Sequence, residues 1–164
     1  MLEPVGPRHA QGIFDAIVAS QAELLPWMPW ARDPSLEGAR DETAKSALDW
    51  AAGKRFHFAA VERDSGLVLG VVGLAMEGGE AELSYWIRSD HAGKGLTAEA
   101  CRALIDWARG ELGVRRLILW AGRDNKPSRT LAARLGFQHL GPLEWQPEGG
   151  EGTFPAERYE LRLV

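Results

Sequence analysis

The densest concentration of reactive potential in the chain is Gly93-Lys94-Gly95-Leu96-Thr97-Ala98, which runs straight into an amphipathic helix. The first amides of a helix lack intrahelical partners and stand at the positive end of its dipole. Glycine lets a backbone approach an anion with no side chain between them, and Lys94 adds a mobile cation. A phosphate or pyrophosphate is the guest this chemistry suits. The plainer alternative is a helix start after a glycine turn, binding nothing. A P-loop requires Gly-Lys followed by Ser or Thr, whereas Gly95 follows Lys94, so that loop is excluded. The spelling Gly-x-Gly-x-x-Ala also matches a dinucleotide fingerprint. That fingerprint belongs directly after the first strand of a parallel βαβ unit, and here an antiparallel meander and a loop come first.

Other reactive residues are sparse. Asn125-Lys-Pro-Ser128 opens a second, shorter helix, where an Asn is ordinarily a cap. Cys101 falls on an apolar stripe with Leu104 and Ala108, the place of a buried structural thiol rather than a nucleophile. As the sole cysteine it has no internal disulfide partner. His9, His57, His91 and His139 show no ligand spacing, and no metal is expected. Seven tryptophans against two tyrosines are unusual; indoles fill cores or line pockets.

The elements that must position these residues follow from periodicity. Pro7 to Leu25 reads as helical, with Ile13, Ile17 and Val18 near helical spacing, until Pro26 and Pro29 break the pattern. Asp33-Pro34-Ser35 opens a second helix to about Ala52, stopped by Gly53. The period then changes to two. Phe56 to Val61, Leu67 to Met76 and Glu80 to Arg88 read as strands of a meander, joined by turns at Arg63–Gly66 and Glu77–Gly79. The helix after the glycine loop runs to about Leu112 with a clean apolar stripe, and Gly113 ends it. Val114 to Ala121 is a buried strand, Lys126 to Leu135 a short helix, and Phe137 to Trp145 and Arg158 to Val164 the last two strands. The order predicts a mixed α/β (α+β) fold with one central sheet.

At 164 residues the chain fits a single domain, 1–164, that buries roughly 70% of its unfolded surface. Hydrophobic residues at 45% and charged residues at 26% are the balance of a soluble globular protein. A net charge of −4 gives no broad electrostatic footprint for nucleic acid. No apolar run nears the ~18 residues of a membrane span, and the first ten residues lack a signal peptide's apolar stretch. A cytoplasmic address is expected.

With the elements in place, Glu82-Leu-Ser-Tyr-Trp-Ile-Arg88 followed by Gly93-Lys-Gly-Leu-Thr-Ala-Glu-Ala100 resembles the acetyl-CoA-binding motif of the GNAT acetyltransferase superfamily. Asp124-Asn125-Lys-Pro-Ser128-Arg129, then Ala132-Ala-Arg-Leu-Gly136-Phe137, resembles its second motif. Leu25-Pro-Trp-Met-Pro-Trp30 is similar to the RimJ/RimL branch, which acetylates protein N-termini. The resemblance covers nearly the whole chain. It implies a central, mostly antiparallel sheet flanked by helices, whose middle strands, ending near Arg88 and Ala121, splay apart around the pantetheine arm. It implies that the backbone of Ile87, Arg88 and Ser89 bonds that arm. It places the pyrophosphate on Gly93 and the amides of Lys94, Gly95, Leu96, Thr97 and Ala98, and it puts Asn125 and Ser128 near the thiol end. The family frame Gln/Arg-x-x-Gly-x-Gly/Ala is Ala92-x-x-Gly95-x-Thr97 here, so amide contacts carry over and side-chain contacts at its ends do not.

Acyl transfer from a thioester needs a neutral amine in position, a destination for its proton and a stabilised oxyanion. The resemblance implies Glu82 as base, acting through water, though a solvent-facing strand glutamate is the plain alternative. It implies Ser128 as donor to the sulfur or the departing thiolate, and a backbone N–H near Ile87 or Arg88 on the carbonyl. Trp27, Trp30 and Glu144, with Glu148 and Glu151 in the loop ending at Gly152, are expected to receive the amine, unless the indoles only staple helices and the acidic loop is only solvated. An α-amine titrates near 8 and a lysine near 10.4, a gap of roughly 2.5 units or about 3.4 kcal/mol that favours N-terminal amines. Small-molecule amines such as an antibiotic, a polyamine or an amino-acid derivative remain alternative acceptors. So do a longer acyl donor such as succinyl and a non-catalytic acyl-CoA-binding role. The family also admits a homodimer.

Overall fold

The computed structural model describes residues 1–78, 80–146 and 152–164. Its strands are β1 (Leu2–Pro4), β2 (Arg55–Val61), β3 (Val68–Glu77), β4 (Glu80–Ile87), β5 (Arg116–Gly122), β6 (Gln138–Trp145) and β7 (Phe154–Arg162). Its helices are α1 (Ala10–Ala19), α2 (Gln21–Leu24), α3 (Leu36–Ala51), α4 (Leu96–Glu111) and α5 (Lys126–Arg134). The strands form one sheet in the order β1-β2-β3-β4-β5-β7-β6. Every neighbouring pair is antiparallel except β4 with β5. This is the single central sheet that the element order predicts, mostly antiparallel as the resemblance implies.

Local chemistry sets the helix ends. Ser35 Oγ accepts the Gly38 N–H at 3.0 Å and starts α3, and Asn125 Oδ1 accepts the Ser128 N–H at 3.1 Å and starts α5. The α4 stripe Ala98, Cys101, Leu104, Ile105 and Ala108 is buried on one face of the sheet. There it meets Phe56, Phe58, Val72, Leu74, Leu83, Leu117, Leu119 and Tyr159. Trp50 and Trp107 join Phe56 and Phe58 in an aromatic cluster with ring centroids 5.0–5.7 Å apart, so two of the seven indoles are core. The opposite face packs Ile13 and Ile17 of α1 against Ala59, Val61, Val68, Val71 and Trp86. No described helix is long and apolar enough to cross a membrane.

Three details depart from the expected elements. The stretch 7–25 is two helices, because the backbone breaks at Ser20 (φ −125°, ψ 12°). Leu2–Pro4, too short to show a period, adds an edge strand to β2. The last strand begins at Phe154 rather than Arg158, because β5 and β6 extend its ladder across Pro155 to Glu157, residues whose side-chain pattern is not strand-like.

One arginine ties the middle of the sheet together. Arg116 on β5 bonds Glu80 on β4 and, with its Nε at 2.6 Å, Glu160 on β7. The Glu160 carboxyl is held below the usual carboxylate range, first by Arg162 and then by Arg116. A depressed carboxyl keeps this tie at neutral pH and loses it only as pH falls through the folded value.

β3 and β4 approach closely at Gly70, where a methyl group would strike the Trp86 carbonyl and lie 2.8 Å from the Ile87 Cα. Overpacking of this kind costs about 1–3 kcal/mol. Gly70→Ala should therefore lower the melting temperature by several degrees, at about 2–4 °C per kcal/mol for this chain length. An unchanged denaturation midpoint would show that the strands part there without cost.

Candidate active site

β4 and β5 pair in parallel at only two positions, Ala81 with Leu117 and Glu82 with Ile118. Beyond them β4 stays with β3 as far as Gly70 opposite Ile87, and β5 stays with β7 as far as Gly122 opposite Ala156. The two strands therefore diverge. Arg88 N–H donates to the Leu69 carbonyl at 2.7 Å, which fixes the alternation along β4. Tyr85 and Ile87 consequently direct their N–H and C=O toward β5. Arg123 N–H donates to Pro155 C=O at 2.9 Å, so by the same alternation Trp120 directs its own groups toward β4. The slot has backbone donors and acceptors on both lips, a fit for an extended chain that itself carries amides.

At the wide end of the slot lies the glycine loop. Gly93 (φ 77°) and Gly95 (φ 81°) are left-handed, and a Cβ on either would meet no atom within 4 Å. Among the described residues, no hydrogen bond takes an N–H between Gly93 and Ala98. Six adjacent amides, 93 to 98, are thus without a protein acceptor at the N-terminus of a 16-residue helix. Arg88 gives both Nε and Nη2 to Asp90, at 3.0 and 2.8 Å, and His91 Nδ1 lies 2.8 Å from the same carboxylate. Arg88 and His91 hold the Asp90 carboxyl well below its ordinary range. The charge left for an anion is Lys94, which is exposed and has no carboxylate partner among the described residues. These residues fit a pyrophosphate followed by an amide-bearing arm, which is the chemistry of coenzyme A.

Of the three residues expected to bond the arm through their backbone, Ile87 points its groups into the slot. The Arg88 N–H is taken by Leu69, and the Ser89 N–H donates to Ser20 Oγ at 2.9 Å. Ser20 is fully buried and ties the break between α1 and α2 to the end of β4. Sequence reasoning missed it, since nothing local marks a partner 69 positions away.

Glu82 and Ser128 stand on opposite faces of the sheet. Glu82 is half-buried at the last paired position and shares the α1 face with Trp86. Ser128, in the first turn of α5, is on the α4 face, and its Oγ lies 2.8 Å from the Tyr85 hydroxyl. Burial pushes the Tyr85 phenol well above its ordinary pKa. Cys101 is fully buried and its thiol is pushed up to about 12, so it is no nucleophile at neutral pH. Among the described residues no group of three or more His, Cys, Asp or Glu could hold a metal ion.

Trp27 and Trp30 straddle the slot on the Glu82 face. Trp30 meets Trp86 of β4 edge-on, with centroids 6.0 Å apart. Trp27 lies against Gly122 of β5, where a Cβ would come within 2.8 Å of its ring. They remain 36% and 49% exposed, respectively, the kind of surface an incoming molecule can cover. Glu144 is exposed on edge strand β6, with β7 between it and β5. Glu148 and Glu151 lie outside the described residues.

A sheet splayed around an amide-lined slot, with an anion cradle at its open end, defines the GNAT acetyltransferases. Residues 1–138 match the model of the acetyltransferase (GNAT) domain, and the chain belongs to that family as an acetyl-CoA-dependent N-acetyltransferase. Within it the chain falls in the RimJ/RimL-like branch. The Bacillus subtilis (strain 168) protein named "Putative ribosomal N-acetyltransferase YdaF" is 31% identical over 144 residues, spanning 82% of this chain and 75% of its own. The ribosomal-protein-serine acetyltransferase of Escherichia coli (strain K12) is 35% identical over 57 residues, 35% of this chain and 32% of that one. RimL, the ribosomal L7/L12 alpha-N-protein acetyltransferase solved in complex with coenzyme A, shares the fold at a TM-score of 0.85. It does so at 19% identity over 99% of this chain and 93% of its own.

The cradle can be tested without turnover. Gly95→Ala forces a side chain into a left-handed position and points its methyl at the open space before the loop. Calorimetry should show acetyl-CoA binding about tenfold or more weaker, with the circular dichroism spectrum preserved. Unchanged affinity would take the loop out of the binding site.

Proposed function

We propose that this enzyme acetylates the α-amine at the N-terminus of a cytoplasmic protein or peptide by direct attack on acetyl-CoA. The observation that carries this reading is the pair Trp27 and Trp30, one indole on each lip of the slot and both exposed. An acceptor site with exposed walls suits the end of a polymer better than a small molecule, which is usually enclosed. The names of the Bacillus and Escherichia relatives point the same way.

In this reading the pyrophosphate rests on the amides of Gly93 to Ala98 beside Lys94. The arm pairs with the backbone of Tyr85 and Ile87 on one lip and of Trp120 on the other. Asn125 fixes the first turn of α5, and with it Ser128, at the thiol end. The amine enters on the face of Trp27 and Trp30, with Glu144 adding negative charge farther out. Glu82 takes the amine proton through water, and Ser128 donates to the sulfur on the opposite face. Attack and departure thus occur on opposite sides of the sheet. An α-amine is partly neutral at pH 7, so it can attack without first being stripped of a proton, and Glu82 receives the proton released as the C–N bond forms.

The test is thiol release with matched acceptors. Peptides with a free N-terminus should exceed N-blocked, lysine-containing peptides and small polyamines by at least tenfold in kcat/KM. A polyamine or blocked peptide that equals them would overturn the acceptor assignment. Glu82→Gln should lower kcat tenfold or more at saturating substrate, and an unchanged kcat would remove Glu82 as base.

A further inference from the structure

The Tyr85 hydroxyl reaches from β4 to α5, 2.8 Å from Ser128 Oγ and 3.3 Å from the Ser128 carbonyl oxygen. The sequence offered no role for it, since Tyr85 is one apolar step in the alternation of β4. Its position gives it one. Ser128 Oγ has a single hydrogen to give and two lone pairs to offer. The Ser128 N–H is already committed to Asn125 Oδ1, which fixes the turn carrying the hydroxyl. Among the described residues, that hydroxyl is partnered by Tyr85.

Two hydroxyls in contact share one hydrogen. Were Ser128 the donor, its proton would be spent on the phenol and nothing would remain for the slot. A phenol is more acidic than an alkyl alcohol and is the better donor of the two. The 2.8 Å contact is also the ordinary length of an O–H···O bond, while the alternative to the carbonyl is long.

We propose that Tyr85 is a positioning residue whose hydroxyl donates to Ser128 Oγ and so turns the Ser128 hydrogen toward the departing sulfur. The inference rests on the Ser128 role given under the proposed function. As the amine nitrogen bonds the acyl carbon, the C–S bond breaks and its electron pair stays on sulfur. The amine proton leaves by way of water to Glu82. The thiolate accepts a hydrogen bond from Ser128 while Ser128 accepts one from Tyr85, and the two aligned bonds polarise each other. No proton leaves Tyr85, whose buried phenol stays protonated.

Single-turnover and steady-state rates of Tyr85→Phe, Ser128→Ala and the double variant test this. Tyr85→Phe keeps the ring, so the fold is preserved, and its calorimetric affinity for coenzyme A should match the parent. Tyr85→Phe should lower kcat about tenfold with KM for acetyl-CoA within twofold, and Ser128→Ala should lower it at least as much. The double variant should be no slower than Ser128→Ala, because Tyr85 acts only through Ser128. Parental kcat in Tyr85→Phe beside a slow Ser128→Ala would sink the inference and spare Ser128. Parental kcat in Ser128→Ala would remove both. Multiplying defects, or weakened coenzyme binding in Tyr85→Phe, would overturn the inference and assign Tyr85 to slot shape instead.

Discussion

The structure depends on a competition for backbone hydrogen bonds in the middle of one sheet. β4 is held along its length by β3, and β5 along its length by β7, but the two are joined to each other at only two positions. Past those positions each strand keeps its outer neighbour and leaves the other. The polar groups of Tyr85, Ile87 and Trp120 that a continuous sheet would satisfy are left facing a gap. An unpaired backbone is costly when buried and useful when a ligand supplies the missing partners. Folding thus leaves these groups to a partner from outside the chain.

The closed end of that wedge is as constrained as the open end is free. Arg116 bonds Glu80 and Glu160, the strands on either side of its own. Trp50, Phe56, Phe58 and Trp107 lock α3 and α4 together through the sheet. At the open end, Ser20 caps the Ser89 amide and Asp90 holds Arg88, which sets the path of the chain into the glycine loop. Rigidity is thereby placed around the site rather than within it, the arrangement a preorganised binding slot requires.

Much of this was legible from residue order, and the reasons are local. The period-two runs of β2 to β4, the stripe of α4 and the caps Ser35 and Asn125 each act within a few positions. The loop at 93–98 was readable for the same reason, because helix-end amides and left-handed glycines need no distant partner. What escaped was long-range. Neither the tie from Ser20 to Ser89 nor the contact from Tyr85 to Ser128 leaves a trace in spacing, since partners 69 and 43 positions apart meet only through topology. The split of the first helix and the edge strand Leu2–Pro4 were missed because both are shorter than the window over which a period can be seen. The amides of Arg88 and Ser89 looked open to a ligand in the sequence and are taken in the fold.

Cys101 carries a consequence for life under oxidative stress. The chain's only sulfhydryl is sealed beneath α4 and kept protonated. Each catalytic cycle liberates a coenzyme thiol within the molecule, yet the protein offers no accessible sulfur with which that product can form a mixed disulfide. Peroxide has no thiolate here to convert to a sulfenic acid either. The placement of one side chain thus closes thiol oxidation to this chain.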